Sequence, residues 1–261
     1  MSIIVVADGV LAIEDRLKAS SVEELFTEHK IDRDLAEDSV VEEACRLKEK
    51  MAGSTLTLVT TAPAVFEKAM RSYIAAGCDR AIRVDCDHET LFDVKLRALI
   101  IADVLAGIEG WRVVMLLDRT GGGAPSLLPH YVAAQLRIPS VSSVVRAEAG
   151  ADEINILTRR AGMIRQYRSR SPVVLAVTSR VALRNLGFKD VHRARKAEIK
   201  VVESGSLPHY AEVTAGGHRT GYPGVHAPAS RARSTDMNIE ALSTEEAVNR
   251  IFALYEPYLA D

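Results

Sequence analysis

The sequence predicts a doubly wound α/β domain with a mostly parallel sheet, a mixed antiparallel edge and an extended C-terminal arm. Three observations predict it. Apolar, β-branched runs alternate with amphipathic segments from the N-terminus to about residue 136, at the spacing of right-handed βαβ units. Residues 2–7 and 113–117 are apolar almost throughout, as suits strands covered on both faces. After Ile138 the helical pattern stops, and four strand-like stretches follow one another.

Residues 2–7 (S-I-I-V-V-A) predict the first strand, and 8–34, polar and irregular, a long loop or short excursion. Within 39–51, Val41, Ala44, Cys45 and Leu47 share one face opposite Glu and Lys, so a helix is expected, with Gly53 just past its end. Strands at 55–60 and 81–84 flank a helix at 63–76 that Gly77 stops. A helix at 90–108, a strand at 113–117, a glycine-rich turn at 120–124 and a helix at about 126–136 complete a Rossmann-like succession. Strands at 140–145, 153–157, 163–167 and 172–178, with turns at Gly150 and Ala161-Gly162, read as a strand, a hairpin and a returning strand. From 204 to about 238, Gly216-Gly217, Pro208, Pro223 and Pro228 interrupt any period, which predicts an extended arm. Ser243-Thr244-Glu245-Glu246 offers a capping box for a terminal helix through Tyr255, with Pro257 beyond it. The expected division is a domain over 1–203 and an arm with its terminal helix over 204–261.

Composition narrows the function. The chain carries 33 Lys+Arg against 35 Asp+Glu, a formal charge of −2, which gives no global attraction to nucleic acid. An apolar content of 48% excludes a disordered chain, and a chain of this size buries enough surface to need neither disulfide nor metal. Cys45, Cys78 and Cys86 are scattered and read as reduced thiols, so a cytoplasmic protein is expected. No apolar run approaches the ~20 residues of a membrane span, and the N-terminus lacks a signal-peptide pattern.

The glycine cluster Gly121-Gly122-Gly123 stands between a predicted strand and a predicted helix. There backbone N–H groups and the helix N-terminus can meet an anion, although the turn matches neither a P-loop nor G-x-G-x-x-G. It is either a nucleotide or phosphate cradle or a plain tight turn. Loops at neighbouring strand ends converge on the same edge. Thr60 and Thr61 either bond a ribose or phosphate or cap the following helix, while Asp8 is an awkward neighbour for phosphate. No nucleophile elbow or activated cysteine stands out. His209, His218 and His226 lack metal-ligand spacing and read as exposed or interface residues. Residues 180–200 hold seven Lys/Arg against two Asp/Glu around Phe188. They form either a solvated helix face with a buried ring or a protein-docking loop with the ring as anchor.

Four stretches carry a resemblance. Val41-Glu42-Glu43-Ala44-Cys45-Arg46-Leu47-Lys48-Glu49-Lys50 is similar to a family segment E-E-A-x-R-L-K-E-K, and Ala75-Ala76-Gly77-Cys78-Asp79-Arg80-Ala81 to A-M-G-A-D-R-A. Arg137-Ile138-Pro139-Ser140-Val141 is similar to G-I-P-Q-V, and His192-Arg193-Ala194-Arg195-Lys196-Ala197-Glu198-Ile199 to M-K-A-R-K-K-P-I. In order and spacing, over about residues 2–203, the chain resembles the small (beta) subunit of electron transfer flavoproteins. The resemblance implies an adenine-nucleotide-binding α/β fold in a heterodimer whose FAD lies mainly on the large (alpha) subunit. The small subunit would shield that flavin, hold AMP, and dock a flavin-dependent dehydrogenase as donor, with electrons leaving to a downstream acceptor. It would carry no catalytic residue of its own, and its arm would pack on the large subunit.

Carried over position by position, the resemblance puts the nucleotide site on Val6, Asp8, Asp34, Thr60, Thr61, Ala62, Gly121, Gly122, Gly123, Ser126 and Leu127. It puts the docking surface on Phe188, in place of the family's usual Leu, with Arg184, Lys189, Arg193, Arg195 and Lys196. The nucleotide site departs from the pattern. The family's N-P-x-x-E is Asp34-Leu35-Ala36-Glu37-Asp38 here, its D-G-D-T-G-Q-V-G-P loop has become residues 121–129, and its lysine after the first strand is Asp8. These changes predict AMP binding that is weak, altered or absent. Two rival readings stand beside the electron carrier: a stand-alone adenine-nucleotide-binding regulatory protein, and a scaffold that keeps the heterodimer contacts without a ligand.

Overall fold

β1 (Ser2–Val6) lies inside a nine-stranded sheet because Ile3 to Val6 are apolar and both faces of the strand are covered. The computed structural model describes residues 2–12, 24, 30–119, 124–178, 180–216 and 243–255. A two-stranded antiparallel ribbon, β2 (Val10–Ala12) with β3 (Lys30–Asp32), follows β1. On one side of β1 lie β4 (Thr55–Thr60), β5 (Arg80–Asp85) and β11 (Lys200–Glu203). On the other side lie β6 (Trp111–Leu117), β10 (Val173–Val177), β7 (Ser140–Ala149), β8 (Ile154–Arg160) and β9 (Met163–Ser169). Pairing is parallel from β11 across to β7 and antiparallel over β7, β8 and β9, which is the mixed edge the sequence predicts.

Alternate residues of the central strands feed two cores. Ile3, Val5, Leu56, Leu58, Val113 and Met115 face one side, packed with α1 (Leu35–Glu49), α2 (Glu67–Ala76) and α5 (Phe188–Lys196). Ile4, Val6, Val59, Val114 and Leu116 face the other, packed with α3 (Val94–Ala106), α4 (Leu128–Leu136) and α6 (Pro208–Gly216). This period-two split over apolar strands is what a sheet with helices on both faces requires. Among the described residues no helix is long and apolar enough to cross a membrane.

Three stretches differ from the sequence reading. α1 begins four residues earlier than expected, because Asp34 acts as its N-cap and accepts the Ala36 N–H at 2.8 Å. Residues 200–203 form β11, a parallel edge strand on β5 that the basic segment concealed. Residues 204–216 are a correction: in place of an extended arm they form a 3-10 turn and α6, whose Tyr210 and Val213 pack against the second core. Asp103 of α3 holds the start of α6 by accepting the His209 N–H at 3.0 Å and pairing with its ring. His218, His226 and the rest of the arm through residue 242 lie outside the described residues. Met1–His226 form one unit and Ala227–Asp261 a second. In the second, α7 (Thr244–Tyr255) starts at the expected capping box: Ser243 N–H donates to Glu246 Oε2 at 2.9 Å, and Glu246 N–H donates to Ser243 Oγ at 3.3 Å.

Candidate functional site

The chain leaves β1 toward β4 and β5 and returns to β6 on the other side, so β1 and β6 flank the topological switch point. Crevices at such points, outside the carboxyl ends of the strands, are where ligands sit in sheets of this kind. Asp8 and Gly9 follow β1 there, and Thr60 to Ala62 end β4 beside them. Asp8 Oδ1 accepts three hydrogen bonds, from Thr60 Oγ1 at 2.9 Å, Thr61 N–H at 2.7 Å and Thr61 Oγ1 at 3.1 Å. Its Oδ2 pairs with the guanidinium of Arg97 from α3, whose Nε donates to Thr61 Oγ1 at 3.2 Å. Thr60 Oγ1 in turn accepts the Ala62 N–H at 3.0 Å.

A second carboxyl group supports the same loop. Glu37, in the first turn of α1, accepts the Asp8 N–H at 3.0 Å and the Gly9 N–H at 2.8 Å. Burial and the neighbouring Asp8 carboxylate push Glu37 up to about 8, against the pull of those two N–H donors. The backbone N–H groups of Asp8, Gly9, Thr61 and Ala62 are thus all bonded to side-chain oxygens of the chain itself. Among the described residues of these two loops, no backbone donor is left open for a phosphate arriving at this edge. The Asp8, Thr60 and Thr61 part of the predicted nucleotide site is thus bonded within itself and leaves no backbone donor open to AMP.

The remaining predicted nucleotide residues are spread. Val6 is buried in the second core and Ala62 in the first. Asp34 is committed to capping α1, while Ser126 donates its N–H to Asp118 O at 2.8 Å and Leu127 is exposed. Gly121, Gly122 and Gly123 lie outside the described residues. Arg97 and Glu37 are the members that sequence reasoning missed. Two shallow concavities of about 200 and 320 Å³ lie elsewhere, around Gly150 and Gly53, next to the amino ends of β8 and β4. Burial pushes the Cys45 thiol up to about 11 and that of Cys86 to about 12, so neither ionises near neutral pH.

The predicted docking residues do come together. Phe188 opens α5 and is 87% exposed, with Lys189, Arg193, Arg195 and Lys196 exposed on the same helix. The buried-ring alternative for Phe188 is excluded, because Ala194 is the buried residue of α5. Arg184 faces inward: its backbone N–H and Nε donate to Glu42 Oε2 at 3.1 and 2.9 Å, and it also pairs with Glu49. Burial opposes ionisation of Glu42, but its bonds to Arg184 and Arg46 hold that carboxyl below the ordinary range. At the far end of α5, Arg71 of α2 donates to the carbonyls of Ala194, Arg195 and Ala197 at 2.9 to 3.0 Å. A cation at a helix C-terminus satisfies orphan carbonyls and opposes the negative end of the dipole. Arg71 is a further residue the sequence did not single out.

Fold and site together define a doubly wound α/β protein whose loops after β1 and β4 are bonded to each other, with a fixed cationic helix tipped by an aromatic ring. The sequence model of the Electron transfer flavoprotein domain matches residues 25–207, and the chain belongs to that family of flavoproteins. It is similar to proteins named Electron transfer flavoprotein subunit beta. That of Mycobacterium bovis is 24% identical over 170 residues, covering 63% of this chain and 64% of the relative. That of Bacillus subtilis is 25% identical over 171 residues, covering 64% of each, and that of Bos taurus 26% over 171, covering 64% and 66%. The chain thus spans 64 to 66% of the length of these relatives.

Proposed function

We propose that this chain is the small subunit of a heterodimeric electron transfer flavoprotein, an electron carrier that works in the cytoplasm beside a large, flavin-bearing subunit. FAD supplies the redox chemistry when bound, by taking up and handing on electrons. The described residues of this chain offer its phosphates no open seat at the sheet edge, which supports placing FAD mainly on the companion. This chain's part is to cover the flavin and to select the flavin-dependent dehydrogenase that loads it; a downstream acceptor unloads it. No residue here serves as general acid, base or nucleophile. The arm beyond residue 216 would wrap the large subunit.

One observation carries the docking role: a largely exposed aromatic at the head of a cationic helix that is pinned at both ends. Phe188 supplies the apolar anchor, Lys189, Arg193, Arg195 and Lys196 steer an acidic partner surface, and Arg184 positions the helix. Co-expression with a large-subunit gene from the same genome should give a yellow complex. In that complex Phe188→Ala should slow reduction by the donor dehydrogenase roughly tenfold or more, the scale of one interface anchor, with flavin content unchanged. A chain that stays colourless and alone would instead favour the regulatory-protein reading, and an unaltered rate would remove Phe188 from the docking surface.

A further inference from the structure

We propose that Asp8 is a built-in anion: its carboxylate occupies the phosphate seat at the carboxyl edge of β1 and β4 and keeps mononucleotide out. This inference is independent of the flavoprotein reading. An anion seat at a strand end needs converging N–H and O–H donors and a cation, in a partly dry place. All of these are present. The Thr61 N–H, the Thr60 and Thr61 hydroxyls and the Arg97 guanidinium converge on one point, and the side chains of Asp8 and Arg97 are each only 15% exposed. What they converge on is the chain's own carboxylate. Both Asp8 oxygens are used, and the two N–H groups next along the backbone, of Asp8 and Gly9, are taken by Glu37.

An incoming phosphate would have to break several charge-assisted bonds and share the seat with a like charge, so the closed state wins. Removing the Asp8 charge reverses the balance. Arg97 becomes a mostly buried cation without its partner, and a bound anion relieves that cost. The seat is therefore latent, and one side chain separates a closed crevice from an anion site.

The test titrates the full-length chain with AMP and with inorganic phosphate by calorimetry, and measures the nucleotide released on heating it as purified. The unaltered chain should release no stoichiometric AMP and take up neither probe. Asp8→Ala should bind both probes with a Kd roughly 10–100-fold below the highest concentration at which the unaltered chain shows no heat of binding, the equivalent of one or two charge-assisted hydrogen bonds. Asp8→Asn keeps the shape and the Oδ1 acceptor, should fold where the alanine variant does not, and should gain affinity through Arg97 alone. Adding Arg97→Ala to either variant should abolish the gain. Stoichiometric AMP on the unaltered chain would overturn the proposal even if neither variant folds. So would the absence of any gain in a variant whose circular dichroism and melting show a native fold.

Discussion

Gly9, at the strand-end crevice, has no room for a side chain. Its φ is +76°, and a Cβ there would lie 2.5 Å from Phe66 Cε2 and 2.6 Å from Asp32 O. Gly9→Ala should therefore destabilise the fold by more than about 1 kcal/mol, seen as a lower melting temperature, because the strain adds to the overlap. Glu37 makes a second prediction, with a definite sign. Its carboxyl titrates near 4.5 when unfolded and near 8 when folded, raised by burial and then by Asp8, with a smaller push from Asp34. Between those values the folded state holds a proton that the unfolded state has lost. The contribution is fully present below the lower value and is lost as pH rises through the upper one. Chemical denaturation at several pH values from about 5 to 8.5 should thus show stability falling with pH, by up to several kcal/mol from this group, and Glu37→Gln should flatten the slope. At this scale the sequence was only partly legible. Asp34 with Glu37 three residues on has the spacing of a capping box, and that signal marks the true start of α1. Here, however, Glu37 reaches across to another loop instead of back to its own cap. Arg97 is one of two cations, with Lys95, in a mostly apolar helix that also carries Asp103, and nothing local announces that it faces a carboxylate eighty-nine residues away.

Among the elements, α5 is the most tightly specified relative to its own sequence, which buries only Ala194. Its hold comes from two arginines outside it, Arg184 at the leading loop and Arg71 at the trailing carbonyls. Arg71→Met should keep much of the packing stem and lose those bonds. Amide exchange over residues 188–196 should then accelerate, by the equivalent of about 1–3 kcal/mol of local opening, with little change elsewhere. The elements that escaped sequence reading are short or begin on a residue that signals breakage. β11 has four residues and no alternation of burial, so only its pairing with β5 makes it a strand. α6 opens on Pro208, read as an interruption although proline at the first helical position is favoured. By contrast, β1, β6 and β10 were legible because each contains a continuous apolar run of the kind a doubly covered strand needs, and β4 because its threonines, leucines and valine make a short stretch rich in strand-favouring residues.

For the molecule as a whole, the doubly wound plan followed from the alternation of such runs with amphipathic helices, whereas strand order did not. That β10 inserts between β6 and β7 is a long-range choice made by packing. The charge pattern shows the same division between local and global. A chain with a net charge of −2 presents a concentrated cationic face on α5, so its encounter with an acidic partner should weaken with ionic strength. Stopped-flow reduction of the yellow complex should slow by several-fold between about 50 and 300 mM salt, the range over which the Debye length contracts from roughly 14 to 6 Å, and the neutral Phe188→Ala variant should retain that slope. Clamping α5 at both ends has a consequence for how such a carrier changes allegiance. A plug that is already set loses little entropy on insertion, so its address is written in a handful of outward side chains and not in its backbone. On the proposed docking role, swapping those side chains alone would let the complex draw its electrons from a different supplier, while sheet and crevice stayed as they are.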